Sequence, residues 1–345
     1  MGILISYSAL VTKVRAMEGH LLKPEDYENL AAMGSIPQAA AYLKRIPSYQ
    51  SLLENRDESH FHREVMERLL VGALYYDFSK IYRFCNKKQR RLLMIYISKY
   101  EVAVMKRSLR RIFNHGDRTG ESRTMREILQ KYTKIPLSEM AQAETIPEFL
   151  HALRDTEYAK VLTRLEHMDT ATLFDYEMTL DLFYFTRMWK QKEQVRNRKE
   201  SEALTRTFGS KMDLLNMMWI YRARKYYQMS EASTYALVIP INYRLSDDEI
   251  RSMVTARDEK ELEEAFQRTY YGKKFMDLDG EDLEQLYQQF LFRVYGEEQR
   301  KNPYSMAAVT AYLYKKEQEI DKLTTVLEGV RYGLPPQETL SYIGQ

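Results

Sequence analysis

EFLHALRDTEY, residues 148–158, and ELEEAFQRTYY, residues 261–271, superpose without a gap. Glu148 falls on Glu261, Phe149 on Leu262, Ala152 on Ala265, Leu153 on Phe266, Thr156 on Thr269 and Tyr158 on Tyr271. The spacing of the two copies, about 113 residues, is close to one third of the 345-residue chain and is an ordinary domain size. A weaker first copy, IPQAAAYLKRIPSY, occupies residues 36–49, and Ile146-Pro147 opens the second copy as Ile36-Pro37 opens the first. A second register runs alongside. Lys99-Tyr100-Glu101-Val102 through Arg110 matches Lys211-Met212-Asp213-Leu214 through Arg222, offset by about 112 residues; Tyr7 to Arg15 is a fainter counterpart. Units therefore break near Ser98 and near Gly209-Ser210. The resulting expectation is an all-α chain of three similar helical bundles over residues 1–98, 99–210 and 211–345, the last with closing helices that begin near Ile320 to Tyr332.

Helical periodicity dominates the rest. Val65, Met66, Leu69, Leu70, Ala73, Leu74 and Phe78 recur at steps of three and four, as do Leu93, Tyr96, Ile97, Tyr100, Val104, Leu109 and Ile112. Leu173 to Trp189 and Leu214 to Tyr227 follow the same pattern with aromatics added. Ser246-Asp247-Asp248-Glu249 and Thr145-Ile146-Pro147-Glu148 read as capping boxes, with Pro147 in the first turn, where its missing N–H costs nothing. Loops are expected at Asn114 to Ser122 and Asn197 to Ser210.

Composition bounds the function. Hydrophobic residues make up 44% and charged residues 29% of the chain, the balance of a globular protein with proper cores. Only 13 glycines and 9 prolines leave little room for sheets joined by tight turns. A net charge of +3 does not demand a nucleic-acid partner. The single cysteine, Cys85, excludes an intramolecular disulfide and suits a reducing compartment. The N-terminus lacks a signal-peptide pattern, and no apolar run is long enough to span a bilayer. Gly2 followed by Ser6 matches a myristoylation pattern only loosely. A cytoplasmic location is expected.

Catalytic motifs are missing. Gly116 to Gly120 has no following Gly-Lys-Ser/Thr and no preceding strand, so it is a turn rather than a phosphate loop. His60 and His62 stand two apart, which on a helix puts them on different faces. His20, His115, His151 and His167 are scattered. Asp277 to Glu284 places its glycine and position-twelve residue, Gln288, wrongly for a calcium loop; acids at a helix start are the simpler account. Cys85 follows an aromatic-rich helix and reads as packing. No metal and no cofactor is expected.

Charge is distributed unevenly. Arg83, Lys87, Lys88, Arg90, Arg91, Lys99, Lys106, Arg107, Arg110, Arg111 and Arg118 are interrupted only by Glu101 and Asp117, and Lys190 to Lys199 adds a second basic run. Acids gather at Asp247 to Glu264 and Asp277 to Glu284. Such runs are solvated helix faces or, if opposite signs sit on opposite faces, the mark of a docking part.

The C-terminal stretch Asn302-Pro303, the small apolar helix Ala307 to Tyr312, Lys316-Glu317 and the closing Tyr332-Gly333-Leu334-Pro335 resembles the signature of the C subunit of V/A-type rotary ATPases, the counterpart of the d subunit of eukaryotic V-ATPases. Lys211 to Arg222 is similar to that family's middle repeat boundary, and Tyr7 to Leu22 to its opening. The resemblance implies three similar domains in a pseudo-threefold funnel, with no catalysis of its own. It implies a central-stalk role on the cytoplasmic face of the membrane, seating the central shaft on the proteolipid rotor ring. ATP hydrolysis or synthesis is thereby coupled to H⁺ or Na⁺ transport. Partners would be the ring and the shaft, with no nucleic acid and no transmembrane segment. Arg107, Arg110 and Arg111, with Arg222 and Arg224 at matching places, are the expected partner-binding residues, on repeated position and charge alone. A helical-repeat adaptor that binds a peptide or RNA in a concave surface is the alternative reading, and a helical enzyme without recognisable motifs is a third.

Overall fold

The computed structural model describes residues 2–54, 61, 63–114, 129–166, 168, 170–274 and 283–344. His60, His62, His115, His167, the Gly116 to Gly120 turn and the acidic stretch Asp277 to Asp282 lie outside the described residues. The described chain is all-α, with no strand. In order it runs through α1 (Gly2–Glu18), α2 (Pro24–Ala31), α3 (Ile36–Leu43), α4 (Pro47–Leu53), α5 (Arg63–Phe84) and α6 (Lys87–Phe113). It continues through α7 (Leu137–Gln142), α8 (Ile146–Ala152), α9 (Glu157–Glu166), α10 (Leu173–Glu193), α11 (Arg198–Lys225), α12 (Glu231–Ala236), α13 (Asp247–Val254) and α14 (Glu259–Arg268). A short 3₁₀ turn (Gly272–Lys274), α15 (Leu283–Lys301), α16 (Met306–Tyr332) and α17 (Pro336–Ser341) complete it.

The expected start signals are in place. Ser246 and Glu249 form the reciprocal box, each side chain taking the other's backbone N–H. At α8 the pattern is shifted by one: Thr145 Oγ1 accepts from Glu148 N–H, but the Glu148 carboxylate reaches back to Glu144 N–H at 2.8 Å. Glu261 does the same to Arg257 N–H at 2.9 Å, and Gln38 to Gly34 N–H at 2.9 Å. A local device thus recurs at the start of all three copies of the signature, satisfying amides that a helix start leaves open.

Two compact units emerge: one from Met1–Leu93, Arg118–Thr133 and Pro303–Gln345, the other from Met94–Asp117 and Lys134–Asn302, each over its described residues. In the first, α16 is the centre. Residues 306–314 are buried all round, as a helix apolar on every face must be, and α16 packs on α1, α2, α3, α5 and α17. Leu10, Leu30, Leu43, Leu323 and Val326 are fully enclosed there, each side chain stabilising by about 1.5–3 kcal/mol. Gly333 ends α16 in the left-handed conformation, φ 67°, and Leu334 N–H returns to Gly329 O at 2.9 Å. This is the physical content of the Tyr332-Gly333-Leu334-Pro335 motif, in which Pro335 precedes the start of α17.

In the second unit α11 is central and packs on α10, α12, α13, α14 and α15. Here the structure corrects the expected loop at Asn197 to Ser210: α11 runs through it from Arg198 to Lys225 without interruption. Gly209 is there for space. A Cβ on it would lie 2.5 Å from Cγ of the Tyr243 ring. Ser98 likewise lies inside a helix, since α6 runs from Lys87 to Phe113; its hydroxyl returns to Met94 O within the helix.

Candidate interaction residues and their anchors

Each copy of the signature delivers a buried tyrosine to a carboxylate in the middle of a long helix. Tyr158 OH donates to Glu101 of α6 at 2.8 Å, and Tyr271 OH to Asp213 of α11 at 2.8 Å. Tyr49 OH donates to Glu319 of α16 at 2.6 Å, across 270 residues of sequence. The preceding turn is shared by the later two copies: Thr156 Oγ1 bonds Leu153 O at 2.7 Å and Thr269 Oγ1 bonds Phe266 O at 2.8 Å. Buried carboxylates need further donors. Glu101 has the Arg187 guanidinium at 3.8 Å; Asp213 takes Tyr243 N–H at 3.1 Å and Arg244 N–H at 2.6 Å; Glu319 takes Lys316 Nζ at 2.5 Å and Leu22 N–H at 2.6 Å.

Burial, followed by the neighbouring carboxylate, raises the pKa of all three hydroxyls, so each stays a donor. Burial also raises Asp213 above the ordinary carboxylate value, against the pull of the amides and hydroxyl it accepts from. A fourth bond of the same kind, Tyr312 OH to Asp77 at 2.6 Å, joins α16 to α5.

The five arginines fall into two kinds. Arg111 spans the Ala141 and Ala143 carbonyls, the second at 2.7 Å, and Arg224 spans those of Met229 at 2.7 Å and Ala256 at 2.8 Å. Arg111 with Ala143 and Arg224 with Ala256 are equivalent positions, about 113 residues apart. Both arginines are partly buried and tie a long helix to the segment that leads into α8 or α14. Arg110 and Arg222 lie nearer solvent and pair with Glu177 and Glu284, Arg222 at 2.6 Å; the Glu177 contact pulls Arg110 further toward the charged form. Arg107 is exposed and has no ion pair among the described residues. Arg107 and Arg110 share a solvent-facing stripe of α6 with Ala103 and Asn114.

The sequence does not mark the anchors as anchors, although Tyr158 aligns with Tyr271 and Glu101 with Asp213. Two aligned pairs at nearly constant separation are the available signal. Glu319 gives none, because its partner stands at the other end of the chain. Among the described residues no cluster of histidine, cysteine and carboxylate side chains is placed to hold a metal, and no helix is long and apolar enough to cross a membrane.

Comparison with known proteins decides the family. The model of the ATP synthase (C/AC39) subunit family matches residues 10–342. The chain belongs to that family. Relatives named as the C subunit of A-type ATP synthase include those of Methanosarcina mazei, 23% identical over 95% of this chain and 90% of the relative, and of Thermococcus kodakarensis, 24% identical over 98% and 90%. A third, from Pyrococcus abyssi, is 24% identical over 98% and 90%. The chain is thus a C/AC39 subunit of an ATP synthase rather than an enzyme in its own right, and the all-α architecture accords with the sequence expectation.

Proposed function

We propose that this C/AC39 subunit is the coupling piece of the central stalk, seating the shaft on the proteolipid rotor ring from the cytoplasmic side. ATP hydrolysis or synthesis in the head is then linked to H⁺ or Na⁺ movement through the ring. The observation that carries the reading is the family match over residues 10–342, nearly the whole chain. The physical support is stiffness: three helices of 27, 28 and 27 residues, each held at its middle by a buried tyrosine–carboxylate bond. A part that carries torque must not shear internally, and buried, fully paired polar contacts fix one packing. Three similar domains over residues 1–98, 99–210 and 211–345, arranged as a pseudo-threefold funnel, remain part of this proposal.

Of these five arginines, Arg107, Arg110 and Arg222 are the ones exposed to solvent, and they are proposed as shaft or ring contacts. Arg111 and Arg224, which hold backbone carbonyls, support the contact face from behind. The test is affinity purification of the tagged chain from gently solubilised native membranes at low salt. The reading expects proteolipid and ATPase head subunits in the eluate, and recovery of the chain with neither would overturn it.

A further inference from the structure

From Phe78 to Tyr100, 23 residues around the corner between α5 and α6 contain seven lysines and arginines and no carboxylate. Lys80 pairs with Asp77 at 3.3 Å, and Arg90 lies 4.5 Å over the Tyr82 ring. Arg83, Lys87, Lys88 and Arg91 are exposed and have no carboxylate partner among the described residues. Between them Phe84 is 46% exposed.

The placement also breaks a local rule. Lys87, Lys88, Arg90 and Arg91 occupy the first turns of α6, where no acidic residue stands in the first turn. Cations there oppose the positive end of the helix dipole, where acids are favoured. Other starts in the chain obey the rule, as Asp247, Asp248 and Glu249 do in α13. The corner is nevertheless firmly built. Asn86 Oδ1 accepts from Lys88 N–H and Gln89 N–H, both at 3.0 Å, and Asn86 Nδ2 donates to Ser6 Oγ at 2.9 Å. A fixed corner that keeps three unneutralised cations, Lys87, Lys88 and Arg91, against the dipole of α6, with Arg83 unneutralised beside them at the end of α5, has them for something outside the chain.

We propose that this corner docks on an anionic lipid bilayer, with Phe84 entering the headgroup layer and Arg83, Lys87, Lys88 and Arg91 against lipid phosphates. The corner is the turn where two helices meet, and all five of these side chains are exposed within nine residues of it, which fits an extended charged surface. Exposed aromatic and basic residues together are the chemistry of an interfacial contact. Stacking of nucleic-acid bases is disfavoured, because the Tyr82 ring already carries Arg90. Each cation near such a surface strengthens partitioning about fivefold.

The test is co-sedimentation of the full-length chain with phosphatidylcholine vesicles, with and without phosphatidylglycerol. Binding should require phosphatidylglycerol and fade as salt is raised. The triple variant K87Q/K88Q/R91Q should partition about a hundredfold less while melting no lower than the wild type, since it removes cations from a helix start. Phe84→Ala should weaken binding without changing its salt dependence. Equal sedimentation with both vesicle types, no sedimentation with either, or an unchanged triple variant would overturn the proposal. Absence of vesicle binding together with binding of isolated rotor ring through these same residues would overturn it in favour of an acidic protein surface. The proposal stands on the corner's own charges, so the vesicle result is independent of the co-purification test above.

Discussion

Replacing Glu319 by alanine should destabilise one of the two units of this molecule while leaving the stability of the other unchanged. Glu319 is 4% exposed and Lys316, its partner at 2.5 Å, is fully buried. Removing the carboxylate strands the ammonium, leaving it, among the described residues, Tyr49 OH at 3.0 Å and the face of the Tyr49 ring. It also strands Tyr49 OH and Leu22 N–H as donors. Breaking one side of a buried ion pair costs about 3–5 kcal/mol. Tyr49→Phe removes the bond to Glu319, about 1.5–3 kcal/mol, and the longer one from Lys316, but leaves the buried ion pair intact, so the alanine variant should be the worse of the two. The assay uses the placement of the two tryptophans. Trp189 and Trp219 both belong to the second unit, whereas Glu319 belongs to the first. Tryptophan fluorescence therefore follows the second unit, and far-ultraviolet circular dichroism follows both. With a urea slope of about 2 kcal/mol per M, Glu319→Ala should move part of the dichroism transition down by about 1.5–2.5 M and leave the fluorescence midpoint in place. Coincident movement of both signals would refute the division of labour. A shift smaller than that of Tyr49→Phe would refute the stranded-lysine argument.

Burial raises Asp181, next to Lys106, above the ordinary carboxylate value. Its folded form therefore binds a proton more tightly, so its contribution favours folding below the unfolded value of about 4 and declines as pH rises through the raised folded value. Wild-type fluorescence midpoints should fall relative to Asp181→Asn as pH rises above about 4; a constant difference would contradict this. Gly209→Ala puts a methyl group into the Tyr243 ring and should destabilise the second unit by about 1–3 kcal/mol in urea; Tyr243→Leu in the same chain should recover part of the loss. Arg224→Met removes two charge-assisted bonds to carbonyls and should cost about 1–3 kcal/mol by the same fluorescence assay. Arg107→Glu, on an exposed face, should stay within about 0.5 kcal/mol of wild type, so a loss of subunit association in that variant reads as a lost contact.

Helix type and extent were legible in the sequence wherever apolar spacing and caps agreed. Leu173 to Trp189 became α10, and the periodic segment after Leu92 became the body of α6. Gly209 misled because a helix-interior glycine and a loop glycine look alike in sequence; only the Tyr243 ring against it distinguishes them. The arginines show the complementary limit. Repeat and charge singled out Arg111 and Arg224 as an equivalent pair. They could not say whether the guanidinium faced a partner or the chain's own carbonyls, because that choice depends on where Ala143 and Ala256 fold.

The anchors also order the folding of the chain. Glu101 precedes Tyr158 by 57 residues and Asp213 precedes Tyr271 by 58, whereas Glu319 follows Tyr49 by 270. Closing the longer loop costs about 1.4 kcal/mol more, from the logarithm of the length ratio, which is about tenfold in rate if closure limits the step. The other bonds of α16 in the first unit are equally distant, Tyr312 to Asp77 across 235 residues and Leu22 to Glu319 across 297. The second unit holds its anchors locally and should form first. On dilution from urea, the tryptophan signal should reach its native value in a phase about tenfold faster than the last phase of circular dichroism. Tyr49→Phe should slow or weaken only the later phase, because its contact forms last. A single phase common to both probes would mean that the two units fold as one. The long-range helix α16 would then be part of the nucleus rather than the element that closes the first unit.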